Sequence, residues 1–168
     1  CPGSYTVTIT DANGCTEVVS FNVSNTSGPT GATFVQVNPT CNGTCDGQLE
    51  VIPIGGQAPF TYAWDNGGST DTIVNLCADT YTVTITDNSG CVFIATDTLL
   101  EPDLIVNTAS ITNTSCGSNC DGSIALTTVG GSGNYTYAWS SGGNGSTESN
   151  LCAGTYFVTT TDAAGCSV

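Results

Sequence analysis

The sequence predicts an all-β protein built of tandem small immunoglobulin-like antiparallel β-sandwiches, with a period of about 75 residues and stapled by disulfides. Three observations predict it. A cysteine-bounded run occurs as Cys1 to Cys15, Cys77 to Cys91 and Cys152 to Cys166, at offsets of 76 and then 75, which marks a tandem array. Inside the middle copy Tyr81, Val83 and Ile85 alternate with Thr82, Thr84 and Thr86. That period of two belongs to a strand with one buried and one wet face. Turn signals rich in Gly, Asn and Asp recur at about eight- to twelve-residue intervals without helical periodicity, as small sandwiches require.

Residues 1–28 are read as the end of a repeat: a strand from Tyr5 to Thr10, the turn Asp11-Ala12-Asn13-Gly14, and a last strand from Cys15 to Val23. Ser24 to Gly31, with Gly28-Pro29, is read as a linker. A complete repeat, 29–103, follows. It opens with Phe34, Val35 and Val37, turns through Cys41 to Gly47, and continues as a strand through Leu49, Val51 and Ile54. Phe60, Tyr62 and Trp64 share one face of the next strand. Asn66-Gly67-Gly68 turns the chain into a short strand, Thr72 to Val74, and Asn75-Leu76-Cys77 leads into the recurring run. Asp87-Asn88-Ser89-Gly90 supplies side chains that fold back on nearby amides and a glycine that accepts positive φ, so a hairpin loop leads to Cys91. The repeat closes with Val92 to Leu100, and Glu101-Pro102-Asp103 is the second linker. Residues 104–168 form a second repeat that stops before its last strand; 116–168 aligns with 41–93 at a constant offset of 75 without a gap.

Composition narrows the function. The chain has 168 residues, fourteen Asp and Glu, no Lys, Arg or His, and a net charge of −14. It cannot form a side-chain salt bridge, and it repels phosphate backbones and anionic lipid, which argues against nucleic-acid partners. No apolar run approaches the length of a membrane span, so membrane insertion is not expected. The chain also opens partway through a repeat, without Met and without a signal peptide, and is read as an interior segment of a longer exported polypeptide. A unit of about 75 residues has a small core and needs staples or neighbours. Ten cysteines at recurring positions supply them and point to an oxidising, extracellular setting.

The combination Cys41-Asn-Gly-Thr-Cys-Asp-Gly, Gly55-Gly56, Pro59-Phe-Thr-Tyr-Ala-Trp64, Asn75-Leu-Cys-Ala-Asp-Thr-Tyr and Thr86-Asp-Asn-Ser-Gly-Cys91 resembles the SprB-type repeat. That family is found in very large surface adhesins of gliding and related Bacteroidetes-type bacteria. The resemblance covers nearly the whole chain and implies export by a type IX route, display on the cell surface, and a stalk or filament role in attachment or gliding. Asp79, where Gly3 and Gly154 stand in the other copies, departs from the pattern at one turn.

Each complete set of four cysteines allows three pairings. Cys77 and Cys91 flank a strand that would hold them roughly 20 to 25 Å apart, far beyond a disulfide's reach. Cys41 with Cys45 would strand the other two. The preferred pairs are therefore Cys41 with Cys91 and Cys45 with Cys77, and likewise Cys116 with Cys166 and Cys120 with Cys152, which requires residues 41–45 to lie extended along strand 80–86. Zinc is a poor rival, since the second close cysteine pair and every histidine are missing.

Asp46, Asp87, Asp121 and Asp162 recur beside loops, where calcium is the candidate ligand and turn formation the plainer role. No other cofactor is expected. The aromatic rows Phe60, Tyr62, Trp64 and Tyr135, Tyr137, Trp139 suit a core better than a sugar platform. Thr72 and Thr98, in Asp-Thr-aliphatic contexts, are candidate O-glycan sites, while the Asn-x-Ser/Thr sequons at Asn22, Asn25, Asn42, Asn113, Asn134 and Asn144 are attributed to composition. Catalysis would rest on scattered carboxylates alone, so no enzyme is expected. Lys-Asn isopeptide crosslinks are excluded by the missing lysines. The expected partners are neighbouring repeats, other copies in a fibre, and surface glycans or abiotic surfaces. The alternative is a calcium- or glycan-binding extracellular module.

Overall fold

The computed structural model describes residues 3–23, 27–116 and 119–168. Among these the chain is all-β, with thirteen strands and no helix. β1 (Gly3–Thr10) and β2 (Thr16–Val23) form an antiparallel hairpin. β3 (Pro29–Val37), β4 (Gly47–Gly55) and β6 (Thr72–Leu76) make a three-stranded sheet in the order β3-β4-β6. β5 (Thr61–Trp64), β7 (Thr80–Thr86) and β8 (Val92–Thr98) make another in that order. β9 (Val106–Thr112), β10 (Gly122–Val129) and β12 (Thr147–Leu151) form the sheet β12-β10-β9, and β11 (Thr136–Trp139) pairs with β13 (Val158–Thr161). Contacts gather into two compact units. One takes in the chain up to Phe34, Val51–Asp71 and Tyr81–Thr96; the other takes in Val35–Glu50, Thr72–Thr80 and Asp97–Val168.

Alternation decides which side chains are buried. On β7 Tyr81, Val83 and Ile85 are buried, and on β4 Leu49 and Val51 are. The same alternation on β1 leaves Tyr5, Val7 and Ile9 about half exposed. On β5 Trp64 is buried and Tyr62 half-buried, a pattern repeated by Trp139 and Tyr137 on β11. Each indole N–H donates to a carbonyl six residues on, Trp64 to Thr70 and Trp139 to Gly145, both at 2.8 Å. A Trp can be buried here because its one polar atom is satisfied. Burial, reinforced by the charge of Asp71, raises the Tyr62 phenol above its ordinary range. β5 meets β7 with Thr61 opposite Thr86 and Trp64 opposite Val83, and β11 meets β13 with Thr136 opposite Thr161 and Trp139 opposite Val158.

One sequence expectation about the strands is corrected. The linker read over 24–31 ends early, because β3 begins at Pro29. A proline is tolerated at the first strand position, where its missing N–H is not needed, and Thr30 Oγ1 then donates to the Ile54 carbonyl at 3.2 Å. At the far end, Val168 and Thr160 exchange backbone hydrogen bonds at 2.9 and 3.0 Å and Thr161 bridges Ser167, and among the described residues no strand follows β13.

Candidate functional site

Two kinds of loop carry the cysteines, and an aspartate builds each. The first spans Thr40 to Asp46. Asp46 accepts from the Thr40 N–H at 3.0 Å and from the hydroxyls of Thr40 and Thr44 at 2.5 and 2.9 Å. The Thr44 N–H donates to the Cys41 carbonyl at 3.1 Å, closing a tight turn. Glu101 clasps this turn from outside, accepting from the Asn42 amide at 3.0 Å and the Gly43 N–H at 2.6 Å. The donors from Thr40, side chain first and then backbone, together with Thr44, hold the Asp46 carboxyl down at about 2. The second repeat builds the loop again: Asp121 accepts from the Ser115 N–H and hydroxyl at 3.0 and 2.5 Å, and Asn119 N–H donates to the Cys116 carbonyl at 2.9 Å. Ser115 lowers the Asp121 carboxyl in the same way.

The second loop lies between Asp87 and Cys91. Asp87 Oδ1 accepts from the N–H groups of Ser89 and Cys91, both at 2.9 Å, and Oδ2 from Gln57 N–H at 3.1 Å. Gly90 closes it at φ +80, a left-handed value that an L side chain resists. Burial pushes the Asp87 carboxyl up, but the N–H donors of Cys91, Gln57, Ser89 and Gly90 outweigh it and leave it below its ordinary value. Asp162 repeats the arrangement. Ser132 N–H donates to its Oδ2 at 2.7 Å, Ala164 and Cys166 N–H to Oδ1 at 2.9 Å, and its carboxyl is likewise lowered, chiefly by Ser132. Asp11 forms a third copy, accepting from Asn13 and Cys15 N–H at 2.9 and 2.8 Å.

Among the described residues three disulfides join these loops. Cys45 is bonded to Cys77 and Cys120 to Cys152, each across 32 residues. Cys41 is bonded to Cys166 across 125 residues, with Cα atoms 5.6 Å apart. The expected pairs Cys41 with Cys91 and Cys116 with Cys166 are therefore corrected: Cys15, Cys91 and Cys116 are free thiols. The physical reason lies in the Cys41 turn. Pairing with Cys91 needs residues 41–45 stretched along β7, but the hydrogen bond from Thr44 to Cys41 folds them into a compact loop that cannot span that strand. Cys1 and the sequon at Asn25 lie outside the described residues. A cleft lined by Asn42, Thr44, Leu104, Ile105 and Asp162 opens beside the Cys41–Cys166 bond.

The remaining candidates are placed as follows. The carboxylates of Asp46, Asp87, Asp121 and Asp162 all serve as acceptors for the chain's own N–H and hydroxyl groups. Among the described residues no three Asp, Glu, Cys or His side chains gather at a metal-binding distance. Thr98 is exposed, with its hydroxyl 2.8 Å from that of Thr80, and Thr72 is half-buried at the start of β6. Sequence reasoning misses Glu101, which it takes for linker. It also misses the long Cys41–Cys166 bond, whose only signal is that Cys91 and Cys166 occupy equivalent positions.

Comparison with known proteins places this geometry in a family setting. The family model described as the SprB repeat matches residues 33–69 and 108–144, so the chain carries SprB-repeat sequence at two segments. The SprB repeat is a structural repeat of cell-surface proteins of the gliding and adhesin type, not an enzyme family. No curated protein matches the chain.

Proposed function

We propose that this chain is a stalk or filament segment of a large secreted bacterial adhesin, displayed on the cell surface and serving attachment or gliding. In this reading it consists of immunoglobulin-like sandwich units over 29–103 and 104–168, preceded by the end of another over 1–28. The two SprB-repeat segments support the setting, and their starts, 33 and 108, differ by the array's own offset of 75. The Cys41–Cys166 bond carries the mechanical part. Tension applied at the two ends passes from residue 41 directly to residue 166, and the stretch between them, a sequence separation of 125, is shielded from it. A tether that must resist shear benefits from such a shunt, whereas a catalyst or a soluble carrier has no use for it.

The test is made on cells that produce the protein. Antibody against this segment should label intact cells, external protease should remove the label, and deleting the segment in frame should shorten surface filaments and weaken attachment or gliding. Label found only after lysis, or unaltered adhesion and motility in the deletion strain, would overturn the proposal.

A further inference from the structure

We infer that Glu101 is the positioning residue of the Cys41–Cys166 bond: the segment 101–103 ties the two cysteine loops together by hydrogen bonds, so they stay side by side when the bond is reduced and the same two sulfurs rejoin. The inference goes beyond the surface-stalk reading and does not rest on it, since it concerns the purified chain in a redox buffer.

A strap of main chain and hydrogen bonds runs from one loop to the other. On the Cys41 side, Glu101 Oε2 accepts from the Gly43 N–H at 2.6 Å and Oε1 from the Asn42 amide at 3.0 Å. The same amide donates its second hydrogen to the Pro102 carbonyl at 3.0 Å. On the Cys166 side, the Asp103 carbonyl accepts from the Gly131 N–H at 2.7 Å. Ser132, the next residue, donates its N–H to Asp162 Oδ2 at 2.7 Å, and Asp162 Oδ1 accepts from the Cys166 N–H at 2.9 Å. Only glycine fits at the crossing, because a Cβ on Gly131 would stand 2.5 Å from Asp162 Oδ2 and 2.8 Å from Ile105 Cγ1. Three consecutive residues therefore reach the loops of both cysteines, and the disulfide runs parallel to a connection that does not depend on it. The preceding junction seats its chain in the same way. Gly28, 75 residues before Asp103, lies so close to the equivalent turn that an added Cβ would meet Cys91 Cβ at 2.5 Å.

The strap acts on the reduced state. Two glutathione thiols open the Cys41–Cys166 bond: one protein S–S bond breaks, one glutathione disulfide forms, and two protons pass to the cysteine sulfurs. Closure is the reverse, and its equilibrium constant rises with the local concentration of one thiol around the other. Holding the loops together removes most of the search that a sequence separation of 125 would otherwise impose.

The test uses the full 168-residue chain with Cys1→Ser, Cys15→Ser, Cys91→Ser and Cys116→Ser, so that only the three bonded pairs exchange. It is equilibrated in glutathione redox buffers, quenched by alkylation and mapped by mass spectrometry. Glu101→Ala should lower the closing constant of Cys41–Cys166 about tenfold, as loss of two hydrogen bonds to an exposed charged group predicts. Glu101→Gln, which keeps one acceptor oxygen, should lower it less, and Cys120–Cys152 should keep its constant in both. An unchanged Cys41–Cys166 constant would overturn the proposal, as would an equal fall at Cys120–Cys152, which would mean general loosening. A second measurement leaves Glu101 in place. In Cys166→Ser the Gly43 and Gly131 N–H groups should remain protected from hydrogen exchange; exchange of either at the rate of an unstructured peptide would show that the loops part with the bond and would refute it.

Discussion

Pulling the chain by its ends measures the shunt directly. The Cys41–Cys166 bond bypasses 125 residue-to-residue steps of the 168-residue chain's load path. At about 3.3 to 3.6 Å per extended residue, the oxidised chain should therefore stretch to only roughly 150 Å. With Cys166→Ser the two inner bonds still hide 32 residues each, and the same scaling gives roughly 360 Å. Full reduction should release the whole chain, to roughly 580 Å. Pairing confined to single repeats, as the sequence suggests, would hide the stretches 41–91 and 116–166 and give roughly 235 Å for the oxidised chain. Optical tweezers with handles at the two termini separate these four lengths easily. An oxidised contour near the last of these lengths, or one that reductant does not change, would refute the shunt. The long bond also contributes to stability: with the inner loops already closed, the chain-entropy argument assigns it about 4 kcal/mol. Cys166→Ser should accordingly lower the melting temperature as well as lengthen the chain.

Four further outcomes follow from the packing and the carboxylates. Leu49 is fully buried, so Leu49→Ala should destabilise by roughly 2 to 5 kcal/mol in a denaturant titration, whereas Leu100→Ala, at an exposed site, should change it by less than about 0.5 kcal/mol. A Cβ at Gly47 would lie 2.8 Å from Leu99 Cδ1 and 2.9 Å from the Leu76 carbonyl; Gly47→Ala should cost about 1 to 3 kcal/mol by overpacking, and a neutral result would show that the sheet yields there. The Asp46 carboxyl falls from 3.8 to about 2 on folding, so its contribution is complete above pH 4 and lost as pH falls through about 2; thermal melts should show that acid slope reduced in Asp46→Asn and would contradict the reading if it were unchanged. Added calcium should leave the melting temperature in place, because the four candidate carboxylates already accept the chain's own donors; a rise that saturates with calcium would reveal a site.

Much of the fold is legible in the sequence because a period of two leaves little freedom. Tyr81, Val83 and Ile85 are buried in a strand because threonines between them take the other face, and the Asp87 and Asp162 turns follow from side chains that reach their own backbone. The cysteine connections are legible only in part, for a reason built into repetition. Cys91 and Cys166 occupy equivalent positions, each closing an Asp-x-x-Gly-Cys turn, and spacing cannot tell a bond inside one repeat from a bond to the next. The choice turns on whether residues 41–45 run straight, and one hydrogen bond, from Thr44 to Cys41, curls them. Nor does any local pattern mark Glu101 as a clasp, since its partners Asn42 and Gly43 lie far away along the chain.

The aspartate loops have one more consequence. Their carboxylates are satisfied by amide and hydroxyl hydrogens, and the chain has no cationic side chain with which to form an ion pair. Brine therefore has no salt bridges here to weaken, and it shortens the range over which fourteen like charges push one another apart. Where many proteins loosen as ionic strength rises, this fold should tighten, which suits it to seawater as readily as to fresh.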